Sequence, residues 1–150
     1  MDEIITTWNR HQVRYLLIGA QAVRLYGMPR FSYDWDIFIP PRDDANFKKL
    51  NALMEEDLDM PVLPLGSRGE NFIQTYQTKY GLLQFHLAGP GFPPFDAAEH
   101  DSRTLKLESG TMVKCVSAET LLAMKEASNR SSDQSDILYL RSILDDGPKS

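Results

Sequence analysis

The chain carries a single cysteine, Cys115, in 150 residues, which excludes an internal disulfide. One cysteine in an apolar, strand-like stretch reads as a small core residue in a reducing, cytoplasmic setting. Long apolar runs are also lacking, and none approaches the roughly 20 residues of a membrane-spanning helix. The opening residues, 1–12, are acidic and amphipathic, without the basic start and apolar stretch of a signal peptide. Basic side chains are in deficit, 16 against 21 acids, giving a net charge of −5. That balance excludes a broad nucleic-acid-binding surface. Arg14, Arg24, Arg30 and Arg42 nevertheless gather around one stretch of chain and leave room for a local basic patch. Internal repeats, low-complexity segments and linkers are missing too, so residues 1–150 are expected to form one domain.

What is present is a sequence of short elements. Apolar spacing predicts a helix over 2–11, a strand over 14–18, a helix over 20–26 closed by Gly27, and a strand over 33–39 stopped by Pro40 and Pro41. Asp43 is a candidate N-cap for a helix over 44–57. Residues 58–70, with two prolines and two glycines, read as a mobile loop. A hairpin is expected from 71–78 and 82–87, then an irregular turn over 89–94 and short strands near 104–108 and 112–116. Ser117 is expected to cap a helix, a last helix to run from about 133 to 144, and 145–150 to be a disordered tail. This order predicts an α+β fold, an α/β sandwich built on a mixed sheet.

Asp34 and Asp36 carry the most chemical information. On a strand of period two their carboxylates project from the same face, side by side. Two such charges repel unless a cation lies between them, and hard oxygen ligands suit Mg²⁺ or Mn²⁺. Upstream, the run Tyr15–Ile18 stops at Gly19 and turns into a helix. A helix that opens directly after a strand and a glycine offers free backbone N–H groups to a phosphate. Metal ligands beside a phosphate seat point to nucleotide chemistry.

Gly19-Ala20, followed after thirteen residues by Asp34-Trp35-Asp36, resembles the signature of the DNA polymerase beta-like nucleotidyltransferase superfamily. The surrounding segment is similar to a small bacterial branch that includes minimal nucleotidyltransferases and abortive-infection toxins. A second stretch, Lys125 through Arg130 and Asp133 to Asp136, resembles the lysine, basic residue and paired aspartates in the C-terminal helices of that branch. The resemblance covers about residues 14–144. It implies a minimal nucleotidyltransferase fold, a short mixed sheet with helices packed against it. The implied activity is transfer of a nucleoside monophosphate from a nucleoside triphosphate to an acceptor hydroxyl on a protein, an RNA or a small molecule.

By that resemblance Asp34 and Asp36 are catalytic metal ligands for Mg²⁺ or Mn²⁺. Gly19, Ala20, Gln21, Arg30 and Ser32 are expected to bind phosphate. Lys125 is expected to be the distal catalytic cation. Two departures stand against the pattern. Ala20 replaces the usual glycine or serine, and Gln84 sits where active members carry a third acid. A glutamine carbonyl can be a third metal ligand, but it is a poor general base. His86 shares the strand face of Gln84, either as a helper or as a packed strand residue. Lys125, Arg130, Asp133 and Asp136 have a second reading as structural pairs that support the site. A weakened or inactive nucleotide-binding module, such as a toxin–antitoxin component, is therefore the alternative to an enzyme. The short chain shows no second domain for the acceptor, which points to a partner protein or a homo-oligomer.

Overall fold

The run before Gly19 becomes the strand β1 (Leu16–Ile18), whose three residues are buried on both faces of a sheet. That explains why it lacks alternation. The computed structural model describes residues 1–145, so the predicted tail falls, beyond Asp145, outside the described residues. Within them the sheet has six strands, completed by β2 (Asp34–Phe38), β3 (Ile73–Thr78), β4 (Gly81–His86), β5 (Arg103–Lys106) and β6 (Met112–Cys115). Their order is β3-β4-β2-β1-β6-β5. β2 runs antiparallel to β1 and parallel to β4, β6 runs parallel to β1, and two hairpin partners, β3 and β5, form the edges. The mixed sheet and the α+β class agree with expectation.

Period-two alternation sorts the two faces. On β4, Leu83 and Phe85 are buried while Leu82, Gln84 and His86 are half-exposed. Phe85 lies against Tyr76 and against Trp8 of α1 (Asp2–Arg10), so the inward face is an aromatic and aliphatic core. α3 (Asp44–Leu53) belongs to the same side; Asp43 caps it by accepting from the Asn46 N–H, and the Asn46 side chain bonds the backbone of Arg14. The opposite face is covered only in part. α2 (Gly19–Leu25), α5 (Ala118–Ser128) and α6 (Gln134–Asp145) pack beside one another, with α2 against β1 and β2. A short helix, α4 (Phe95–His100), seats Phe95 on Phe38. The half of this face formed by the start of β2 and by β4 and β3 stays open.

Three expectations need correction. The helix over 44–57 stops at Leu53, after which Asp57 and Leu58 N–H groups turn back onto the Met54 carbonyl. Three acids in a row, Glu55, Glu56 and Asp57, disfavour a helix C-terminus, where the dipole repels negative charge. α4 was not expected at all, because its six residues follow a proline-rich turn and are too few to show periodicity. The loop over 58–70 is irregular but tied down. Asn51 exchanges two hydrogen bonds with Val62, Gln74 two with Leu63, and Tyr76 donates to the Pro61 carbonyl.

Cys115 is fully buried, and burial pushes its thiol up to about 12, which removes it as a nucleophile at neutral pH. Among the described residues no helix is long and apolar enough to cross a membrane.

Candidate active site

β2 begins in solvent and ends in the core, so its first turn of alternation places Asp34 and Asp36 on the open face. The parallel register sets Asp34 beside Leu82, Asp36 beside Gln84 and Phe38 beside His86. The next strand outward continues the pattern, with Thr75 opposite Gln84 and Ile73 opposite His86. Gln84 thus shares a face with both aspartates, as the alignment of the third position requires. Its amide donates weakly to Thr75 Oγ1 at 3.3 Å. The more intimate partner of Asp36 is His86, whose Nε2 lies 2.8 Å from Asp36 Oδ1 and whose ring stacks on Phe92.

Gly19 stands immediately behind Asp36. Its φ is +71°, and a Cβ added there would sit 2.5 Å from Asp36 Oδ2. Glycine is thus required twice, for the left-handed backbone and for the approach of the carboxylate. Gly19→Ala is expected to cost about 2 kcal/mol of stability and to displace Asp36; urea denaturation and a crystal structure of the variant would check both. α2 starts without a side-chain cap, and the residues around its first turn, Ile18, Gly19 and Ala20, line the cleft. Gln21 is buried, and its side chain donates to the Ser32 carbonyl at 2.8 Å while accepting from Arg24 Nε. It fastens the loop that carries Arg30 and Ser32 against α2.

The far wall is a network of ions. Asp136 is 0% exposed, and both of its oxygens accept from the Arg30 guanidinium. Lys125, 9% exposed, places Nζ 3.0 Å from Asp133 and 3.1 Å from Asp136. Asp133 is bonded further by Ser128 Oγ at 2.7 Å and by the backbone N–H and Nε of Arg130. The residues expected from the C-terminal stretch therefore converge on the cleft. They do so as a structural network in which Lys125 is already engaged by two carboxylates.

Burial alone would push the Asp133 carboxyl up, but the bonds from Arg130, Ser128 and Lys125 outweigh it and hold the group well below the usual carboxylate range. The depressed folded-state value fixes the sign. Its stabilising contribution is complete above about pH 4, the ordinary carboxylate value, and is lost as pH falls through the lower folded-state value. Asp133→Asn is accordingly expected to flatten the acid limb of the stability–pH curve below that point, read by urea denaturation at a series of pH values.

Gly19, Ala20, Arg30, Ser32, Asp34, Asp36, Gln84, His86, Lys125, Arg130, Asp133 and Asp136 line one open cleft of about 490 Å³, whereas Gln21, expected to bind phosphate, is buried and is not among its lining residues. The cleft's oxygen chemistry is of the kind that would suit a small hard cation: the Asp34 and Asp36 carboxylates lie on one strand face with the Gln84 amide beside Asp36. Among the described residues no three His, Cys, Asp or Glu side chains form a closed metal cage. Mg²⁺ in nucleotide sites needs none, since one or two carboxylates plus phosphate oxygens commonly suffice. Sequence reasoning missed the Asp36–His86 contact and the lining by Phe72 and Ile73, because strand pairing across the sheet decides both.

This architecture, with the two acids at the open start of β2 and a glycine turn behind them, is the nucleotidyltransferase fold. It is shared at TM-score 0.63 with a candidate nucleotidyltransferase of Thermotoga maritima, 14% identical over 95% of this chain and 89% of that one. The lincosamide antibiotic adenylyltransferase LnuA, solved with lincomycin bound, matches at TM-score 0.59 and 20% identity over 94% of each chain. ANT(2")-Ia in complex with adenylyl-2"-tobramycin matches at TM-score 0.63 and 15% identity, over 94% of this chain and 85% of that one. No protein-family model matches the sequence, and no curated protein matches it either.

Proposed function

We propose that this protein is a divalent-metal-dependent nucleotidyltransferase that moves a nucleoside monophosphate from a nucleoside triphosphate to the hydroxyl of a small molecule. The observation that carries the proposal is the convergence of Asp34, Asp36, the Gly19 turn and Arg30 on one cleft. The likeness to adenylyltransferases solved with antibiotics supports a small-molecule acceptor over the protein or RNA ends the sequence also allowed. The acidic chain, lacking a broad basic surface, favours the same choice.

In this reading Asp34 and Asp36 hold Mg²⁺ or Mn²⁺ together with phosphate oxygens. When bound, the metal offsets the triphosphate charge and makes the acceptor hydroxyl more acidic. The N–H groups at Gly19 and Ala20, with Arg30 and Ser32, hold the phosphates in line for displacement. Lys125 acts as the distal cation through the network that fixes Arg30. The acceptor oxygen bonds to the α-phosphorus, the bond to the bridging oxygen breaks, and pyrophosphate leaves with the electron pair. The hydroxyl proton passes to water, because Gln84 offers no basic group.

The direct test is incubation with each α-labelled nucleotide, Mg²⁺ and fractionated small molecules of a cell extract. Label moving to an acceptor only in the presence of metal supports the proposal. Gln84→Asp should raise that transfer by about a hundredfold, the usual worth of a positioned base, and an unchanged rate would place the base elsewhere. A second reading is favoured by Gln84 itself: a nucleotide-binding module, such as one half of a toxin–antitoxin pair, in which transfer is lost. Nucleotide binding without label transfer, in wild type and Gln84→Asp alike, would select it.

A further inference from the structure

The cleft is chemically lopsided, and its second half has no part in holding phosphate. Phe72, just before edge strand β3, and Ile73, its first residue, stand 50% and 42% exposed, and both line the cleft. Ile73 lies opposite His86 in the ladder and so on the face that carries Gln84, Asp36 and Asp34. Ile73 stands two strand spacings across from β2 and two residues along the register from Asp36, so this apolar wall begins about 12 Å from Asp36 and farther from Asp34. Phe92, stacked on His86, closes the wall from the side.

The wall is held in place without a ligand. The Leu87 N–H donates to the Phe72 carbonyl at 2.7 Å, and the Gln74 side chain bonds Leu63 and Asn71 on either side of the preceding loop. Charge decides what it can accept. Of the four acids lining the cleft among the described residues, Asp133 and Asp136 are consumed by Arg130, Lys125 and Arg30. Asp34 and Asp36 belong to the proposed metal. Among the described residues no further carboxylate lines the cleft at Phe72 and Ile73 to receive an ammonium group, so each amine of a polycationic acceptor seated there would be desolvated without a partner.

We infer that this half of the cleft is an acceptor subsite for a small molecule that presents its hydroxyl beside an apolar face and carries at most one positive charge. The inference rests on the nucleotidyltransferase reading for the role of the bound molecule, whereas the binding preference stands on the wall itself.

The test uses the full chain with isoleucine methyl groups labelled for NMR. It is titrated with hexyl glucoside (neutral, apolar tail), lincomycin (one amine) and tobramycin (several amines), each with and without Mg²⁺-ATP. Hexyl glucoside and lincomycin should shift the Ile73 methyl and bind at least about tenfold tighter than tobramycin. Ile73→Asp, at an exposed edge position, should reverse that order. Tobramycin binding as tightly as the other two would overturn the inference. So would binding that leaves Ile73 unmoved, or no binding of any of the three. A sedimentation dimer abolished by Ile73→Asp would also overturn it, by giving the wall to a second copy. Loss of Mg²⁺-ATP binding counts against the proposed function alone, since the nucleotide-free titrations still decide the subsite.

Discussion

Asp136→Ala should destabilise the protein by about 3 kcal/mol, the cost of stripping one partner from a buried ion pair. Asp136 is wholly buried, and both Arg30 and Lys125 lean on it. The figure belongs at the lower end of the usual range for two reasons. Lys125 retains Asp133, and the Arg30 side chain, partly exposed, can turn toward water. Urea denaturation at neutral pH reads the loss directly; a change below 1 kcal/mol would mean that the network behaves like a surface pair. The same substitution bears on function, because Arg30 is a cleft-lining cation whose direction Asp136 sets. Nucleotide affinity should weaken even under conditions where the variant is fully folded.

Asp34→Ala/Asp36→Ala should leave the fold intact and reduce nucleotidyl transfer by roughly a thousandfold or more, several kcal/mol of barrier. Both residues sit at the exposed start of β2, outside the hydrophobic core, and removing them relieves repulsion between like charges. Stability should therefore be unchanged or slightly higher. This separation of stability from activity distinguishes the pair from Asp136 and from Gly19, where the two are expected to fall together. One contact qualifies it: His86 loses its Asp36 partner, and its ring then rests on Phe92 alone. A variant that loses both fold and activity would assign these aspartates a structural role.

Local pattern made much of this legible. Asp34 and Asp36 share a face because a strand alternates. Leu83 and Phe85 point into the core opposite Gln84 and His86 for the same reason. Ser117 and Asp43 cap the helices they precede, each accepting from the N–H three residues on. What the sequence hid is long-range. Arg30 and Asp136 are 106 residues apart, and His86 and Asp36 are 50 apart. Nothing in the composition of either segment announces those partners.

Arg14 makes the same point at the other end of the sheet. It joins Asp43, Asp96 and Glu99 and lies over the Phe95 ring, a clamp that fixes α4, a helix periodicity did not reveal. Hydrogen bonds from its guanidinium to Glu99 first, and then to Asp96 and Asp43, hold Arg14 firmly in its charged form against the cost of burial. The loop over 58–70 looked mobile because prolines and glycines say where a chain departs from regular structure. They do not say whether side chains such as Gln74 and Asn51 hold it.

The claim at the centre is that the cleft beside Asp34 and Asp36 binds a metal–nucleotide pair. Isothermal titration calorimetry with Mg²⁺ and each of ATP, GTP, CTP and UTP, on wild type and on Asp34→Ala/Asp36→Ala, tests it most directly. Saturable heat is expected for at least one nucleotide in wild type, dependent on Mg²⁺ and absent from the double variant. Equal, negligible heats in both proteins, or equal binding in both, would contradict it.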